Sequence, residues 1–250
     1  MRELLIIKTG TTLAPIKAQF GDFERWFAMA LGELLPLRVI DVCKGETLPR
    51  SSECAGLVVT GSPAMVSHRE EWSEQTAVWL RQAFSQQMPM LGVCYGHQLL
   101  AHALGATVGP NPSGRHMGTV SVTLTEAGDD DPLTAALRDD SRVQVTHAER
   151  VLQPPPGAVI LAQVAADPYH ALRFGPLAWG VQFHPEFTPP IMRAYIEARR
   201  QPLTAEGMDA DALAAAVTET PCAIPLMRRF VRLCFSIQAG RAEQAMNAWV

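Results

Sequence analysis

The chain has 250 residues, 48% hydrophobic and 18% charged, with a formal net charge of −4. That length can bury a sizeable core, and that balance excludes a disordered, collagenous or strongly basic nucleic-acid-binding chain. No apolar run approaches the roughly 20 residues that span a bilayer, and no cationic, apolar leader opens the sequence, so we expect a cytoplasmic protein with neither membrane nor nucleic acid as partner.

In chain order, Leu4-Leu5-Ile6-Ile7 reads as a first buried strand, ending in the loop Thr9-Gly10-Thr11-Thr12. Apolar residues at Phe23, Trp26, Phe27, Ala30, Leu31 and Leu34 then recur at helical spacing behind Asp22, a suitable N-cap. Strands follow at Leu37–Val42 and Gly56–Thr60, and a second long helix lies between Glu70 and Gln87. Pro89 to Val93 reads as a short buried strand, and Gln98 to Leu104 as a helix stopped by Gly105. Strand alternating with helix is the pattern of a parallel sheet covered on both faces.

Beyond residue 118 the pattern changes. Thr119–Leu124 and Arg142–Thr146 alternate apolar with polar, which suggests antiparallel strands with one solvated face. Val159–Val164, Ala171–Phe174 and Ala178–Phe183 continue the series, with Pro154-Pro155-Pro156-Gly157 as a rigid surface turn. Helices from Ile191 and from Ile224 to Phe235 complete the reading. We expect one domain over 1–250, with a catalytic core at about 1–190 and C-terminal helices over 191–250.

The chemistry concentrates in two segments. Gly92-Val93-Cys94-Tyr95-Gly96-His97-Gln98 places a cysteine on a strand-to-helix turn, where flanking glycines let the backbone bend as in the Gly-x-Ser-x-Gly elbow of serine hydrolases. A sulfur there lies near the positive end of the following helix, which favours thiolate. Alone, Cys94 could equally be a packed core cysteine. The second segment, Val181-Gln182-Phe183-His184-Pro185-Glu186, weighs against that: if the strand stays extended, His184 and Glu186 share a face and the carboxylate can orient the imidazole.

With Val58-Val59-Thr60-Gly61-Ser62-Pro63, these motifs stand in an order that resembles the class I glutamine amidotransferases, the family that includes the glutaminase domain of GMP synthetase. The resemblance implies a flavodoxin-like α/β fold: a mostly parallel sheet with flanking helices and an added antiparallel region. It implies that Cys94 is the nucleophile forming a γ-glutamyl thioester, His184 the general base and acid, and Glu186 its orienter. It also implies an oxyanion hole at Tyr95 and the Gly61-Ser62 turn. Many relatives carry glycine in place of Ser62, a change that keeps the backbone donor. Gln98 matches a position that helps hold glutamine, and Thr146-His147-Ala148-Glu149 falls where relatives place a Ser-His-Gly-Asp stretch that meets the amino-acid end of the substrate.

Five cysteines without Cys-x-x-Cys spacing and histidines without paired metal-ligand spacing indicate no metal site, and no phosphate-binding loop or ATP-pyrophosphatase run is present. No cofactor is expected. His68, His97, His102, His116, His147 and His170 read as surface or packed residues, with His97 on the helix surface. Trp26, Trp72 and Trp79 read as core, and Arg199-Arg200 as solvated helix surface. Two enzymatic readings stay open: a glutaminase feeding ammonia to a separate synthase subunit, or else a stand-alone hydrolase of γ-glutamyl amides or peptides. A third is a non-catalytic binding module of the same fold, against which the complete Cys94, His184 and Glu186 set argues.

Overall fold

In the computed structural model, which describes the backbone of residues 1–247 and the side chains of residues 1–240, strand and helix alternate through the first half of the chain. The order is β1 (Glu3–Lys8), α1 (Ala14–Phe20), α2 (Phe23–Leu31), β2 (Leu37–Asp41), β3 (Cys54–Val59), α3 (Glu71–Ser85), β4 (Met90–Val93) and α4 (Tyr95–Ala103). Asp22 caps α2 by accepting the Phe23 N–H, and the helix stops short of the expected Leu34 because Gly32 turns to φ 77°. The second half contains β5 (Thr107–Pro110), β6 (His116–Ser121), β7 (Thr123–Leu124), α5 (Glu126–Asp130), β8 (Arg142–His147), β9 (Glu149–Gln153), β10 (Val159–Val164), β11 (Asp167–Gly175) and β12 (Ala178–Val181). α6 (Pro189–Ala198), α7 (Arg200–Ala205), α8 (Ala210–Ala215) and α9 (Ala223–Asn247) follow.

The main sheet has the order β2-β1-β3-β4-β12-β11-β10-β7. Its first five strands are parallel and the remainder antiparallel, so the sheet is mostly parallel with an antiparallel extension. Side-chain alternation along β1 explains why both faces must be covered. Leu4 and Ile6 join a core with α1, α2 and α6 to α9, while Leu5 and Ile7 join a second core with α3 and α4. Each such residue is fully buried, which stabilises the fold by about 1.5–3 kcal/mol per side chain. Trp26 is buried in the first core, and Trp72 and Trp79 pack against the second.

Register brings the chemistry together. β4 lies between β3 and β12, with Val59 opposite Gly92 and Val181 opposite Val93. The residues that leave these three strands, Gly61, Cys94 and His184, therefore emerge at one edge, at the carboxyl ends of parallel strands where ligands bind in such sheets.

Three expectations need correction. The segment Thr119–Leu124 is two strands. β6 pairs with β8 in a separate ribbon, and β7 joins the main sheet through β10, with buried Val122 between them. Alternation reports a half-buried strand but not which partner it takes. The helix expected from Gln98 begins at Tyr95 and is buried nearly all round, because α3 covers the side turned from the sheet. His97 accordingly lies wholly buried rather than on the surface; Gly180 makes room for it, since a Cβ there would stand 2.3 Å from His97 Nδ1. Among the described residues no helix is long and apolar enough to cross a membrane.

Candidate active site

Cys94 occupies the single residue between β4 and α4, with φ 52° and ψ −106°, a strained conformation for a residue with a side chain. The neighbouring glycines serve packing rather than positive φ. A Cβ on Gly96 would stand 2.3 Å from the Val59 carbonyl oxygen, and one on Gly92 would stand 2.4 Å from that of Gly96. Two backbone bonds pin the turn: Cys94 N–H donates to Val181 O at 2.8 Å, and Gly96 N–H donates to Thr60 O at 3.1 Å. The thiol is buried and points toward the Thr146 carbonyl, 3.8 Å away.

His184 and Glu186 meet as anticipated but through different geometry. β12 ends at Val181, and Pro185-Glu186 forms a turn in which Phe187 N–H donates to His184 O at 3.3 Å. This turn, not an extended strand, brings Glu186 Oε1 to 2.7 Å from His184 Nδ1. His184 Nε2 has no hydrogen-bond partner, and the Cys94 sulfur is the neighbour whose charge bears on it. Burial disfavours the charged ring, yet Glu186 and Cys94 outweigh it and raise the His184 pKa to about 10. The ring plane is fixed by stacking: Phe187 lies 4.1 Å from His184 by centroids, and Tyr195 stacks behind Phe187 at 5.0 Å.

The Gly61-Ser62 turn faces this pair. A Cβ on Gly61 would stand 2.7 Å from His184 Cε1, so only glycine allows that approach. Thr9, which sequence reasoning passed over as a loop residue, holds the turn: its Oγ1 lies 3.1 Å from the Gly61 carbonyl oxygen and 3.0 Å from that of Thr60. Because the peptide is planar and trans, fixing the Gly61 carbonyl fixes the Ser62 N–H in the opposite sense. The Ser62 hydroxyl accepts the Ala64 N–H at 3.1 Å. Tyr95 opens α4, so its N–H has no intrahelical acceptor; its ring is buried, with the hydroxyl 2.6 Å from Ser73 Oγ.

Gln98 donates from Nε2 to Glu149 O at 2.8 Å and to Gln182 Oε1 at 3.0 Å, tying the Thr146–Glu149 strip to the end of β12. Glu149 in turn accepts from the Ser67 hydroxyl. His147 is held through Nδ1 by Glu149 O at 2.9 Å, and burial, followed by the neighbouring His170, pushes its pKa down to about 3, so the ring stays neutral.

Histidines that are scattered in sequence converge here. His147 packs against His116 and His170, with ring centroids 5.5 and 6.0 Å away. Candidate ligand atoms of His147, Asp167 and His170 lie within 4.8 Å of one another. Two ligands across a zinc ion can be at most about 4.2 Å apart. Asp167 already accepts from His170 at 3.0 Å and from Tyr169 N–H at 3.0 Å, with the Arg150 guanidinium at 3.4 Å. These groups form a hydrogen-bonded network that a cation would have to dismantle.

Two chambers with partly shared walls adjoin Cys94 and His184. One contains Cys94, Tyr95 and Gln98; the other contains His184 with Thr12, Phe23 and Tyr195. Ser62, Pro63, Thr146 and Arg199 border both. Arg199 is therefore not the solvated helix residue that its pairing with Arg200 suggested: it ends α6 and turns into the cleft. Nothing in the sequence around it signals that position.

Comparisons with known proteins identify the family and the fold. The family model described as glutamine amidotransferase class-I matches residues 30–199. The chain is 34% identical over 154 residues to a glutamine-hydrolyzing GMP synthase of Aeropyrum pernix, covering 62% of this chain but 28% of that one. It is 33% identical over 150 residues to a protein of Halobacterium salinarum named as one subunit of a glutamine-hydrolyzing GMP synthase, covering 59% of this chain and 74% of that one. A glutamine amidotransferase structure from Thermotoga maritima superposes over 94% of this chain and 98% of its own with a TM-score of 0.72 at 22% identity. A glutamine amido transferase from Methylobacillus flagellatus does so over 94% and 93% with 0.66 at 22%.

Proposed function

Because this chain belongs to the class I glutamine amidotransferase family, we propose that it hydrolyses a γ-carboxamide, with glutamine as the parent substrate, through a γ-glutamyl thioester on Cys94. The observation that carries the reading is the meeting of the strained Cys94 elbow with a raised-pKa imidazole oriented by Glu186. The Cys94 thiolate attacks the amide carbon, and the developing oxyanion is received by the N–H groups of Tyr95 and Ser62. His184 then gives its proton to the amide nitrogen as the carbon–nitrogen bond breaks, and ammonia leaves. In the second half, His184 removes a proton from water, the hydroxide adds to the thioester, and the carbon–sulfur bond breaks to release glutamate and restore the thiolate. No cofactor takes part in these steps.

Gln98, Thr146 and His147 contribute by holding the strip that borders the acyl chamber, against which the amino-acid end of glutamine lies. The Halobacterium relative is named as one subunit of its synthase, which supports a separate synthase as the acceptor of ammonia. In that case the isolated chain should be a weak glutaminase that a partner activates, while a γ-glutamyl hydrolase needs no partner. Steady-state ammonia release from glutamine, compared with cleavage of a γ-glutamyl peptide panel followed by mass spectrometry, tests the reaction. Glutamate formation that disappears in Cys94→Ala supports it; turnover that survives that substitution overturns it.

A further inference from the structure

Resting on the thioester reading above, we propose that Arg199 is an anion-recognition residue on the leaving-group side of the cleft, so that the substrate class extends to γ-glutamyl amines whose departing portion carries a carboxylate. The division of the cleft sets the direction. The acyl group stays with the sulfur, and the chamber holding Cys94 and Gln98 is its place; the amine departs toward the proton donor, and the chamber holding His184 is its place. Arg199 borders the second chamber as well as the first.

Among the described residues the guanidinium there has no ion-pair partner of its own, and only Tyr195 and Glu206 bear on its charge favourably. Its Nε is buried without a hydrogen-bond partner, and among the described residues no carboxylate forms an ion pair with it. Neighbouring Arg115 is already satisfied by Glu206, at 2.9 Å from Nε and 3.0 Å from a terminal nitrogen. The Tyr195 hydroxyl is engaged with Thr12. Burial and then Arg115 lower the Arg199 pKa and outweigh the opposite pull of Tyr195 and Glu206, yet a guanidinium does not deprotonate in proteins, so the charge stays. A cation without an ion pair beside the chamber of His184 opposes both the imidazolium and a departing ammonium. A carboxylate on the leaving amine removes that opposition and matches the planar fork of the guanidinium. Ammonia offers Arg199 nothing.

The test separates this inference from the reaction itself. Affinities of the Cys94→Ala chain for γ-glutamylglycine and γ-glutamylglycinamide, which share the glutamyl end and differ only in the distal carboxylate, are measured by calorimetry. The acid should bind about 10- to 100-fold more tightly, the range of a charge-assisted hydrogen bond. In Cys94→Ala/Arg199→Gln the preference should collapse, and in Cys94→Ala/Arg199→Lys, which keeps the charge but not the fork, it should be intermediate. Circular dichroism checks that each variant is folded. Equal affinity for acid and amide, or a preference that survives Arg199→Gln, overturns the inference. Equal weakening of both ligands in the Arg199 variants also overturns it, by assigning the residue to the glutamyl end. A clear preference with no thioester formed by the unsubstituted chain leaves the anion site standing and sinks the reaction.

Discussion

Glu186 Oε1 lies 2.7 Å from His184 Nδ1, while His184 Nε2, on the side of Cys94, has no hydrogen-bond partner. One nitrogen is anchored and the other is left for chemistry, so the carboxylate fixes the orientation of the ring and favours its charged form.

Replacing Glu186 should therefore act through the ring. His184→Ala should lower kcat/KM by about 10³-fold, and Glu186→Gln by less, since the amide oxygen can still accept from Nδ1. Glu186 helps hold the His184 pKa near 10, so the alkaline limb of the kcat/KM profile, where the imidazolium loses the proton it gives to the leaving amine, should move to lower pH in Glu186→Gln. An unmoved limb removes Glu186 from this role.

Gly61→Ala should lower turnover by about 10²-fold while leaving thermal stability nearly unchanged. The added methyl would stand 2.7 Å from His184 Cε1 and push the imidazole off line, and misplacements of about 1 Å cost that much. Wild-type turnover in a folded Gly61→Ala protein would show that this approach is not needed.

Much of this site could be read in the sequence because its parts are local. The Cys94 elbow is a strand-to-helix junction with glycines at both flanks, and His184 and Glu186 are two residues apart. The parallel sheet was equally readable, because strands covered on both faces leave long apolar runs such as Leu4–Ile7. Thr9, Phe187, Tyr195 and Arg199 were not readable, since each acts through a contact made by tertiary packing. Thr9 reaches Gly61 from the loop that follows β1, and Phe187 and Tyr195 form a stack that exists only once α6 docks. The turn at Pro185-Glu186 was likewise missed, because two-residue spacing fits an extended strand and a turn alike. The burial of His97 rests on the absence of a side chain at Gly180, a relation between α4 and β12 that no local pattern records.

Acid stability should depend on Asp22. Burial opposes its charge, but the Thr12 N–H, Lys8, the Phe23 N–H and Lys17 together lower its pKa to about 2, from 3.8 for a free carboxyl. A depressed carboxyl contributes stability that is complete above its unfolded pKa and is lost as the pH falls through its folded one. About 2 kcal/mol should thus be present at pH 6 and disappear toward pH 2. Denaturant titrations across that range should show the slope in the wild type and a flatter profile in Asp22→Asn; identical profiles would refute the assignment.

The central claim is that Cys94 is the nucleophile, and covalent labelling by a diazo-ketone analogue of glutamine with peptide mapping tests it most directly. Burial raises the Cys43 and Cys54 pKa values to about 11 and pushes Cys234 up as well, so these thiols stay protonated near neutral pH. The account predicts one label per chain, on Cys94, with parallel loss of ammonia release from glutamine. Labelling chiefly at Cys43, Cys54, Cys222 or Cys234, or full activity in a chain labelled at Cys94, would contradict it.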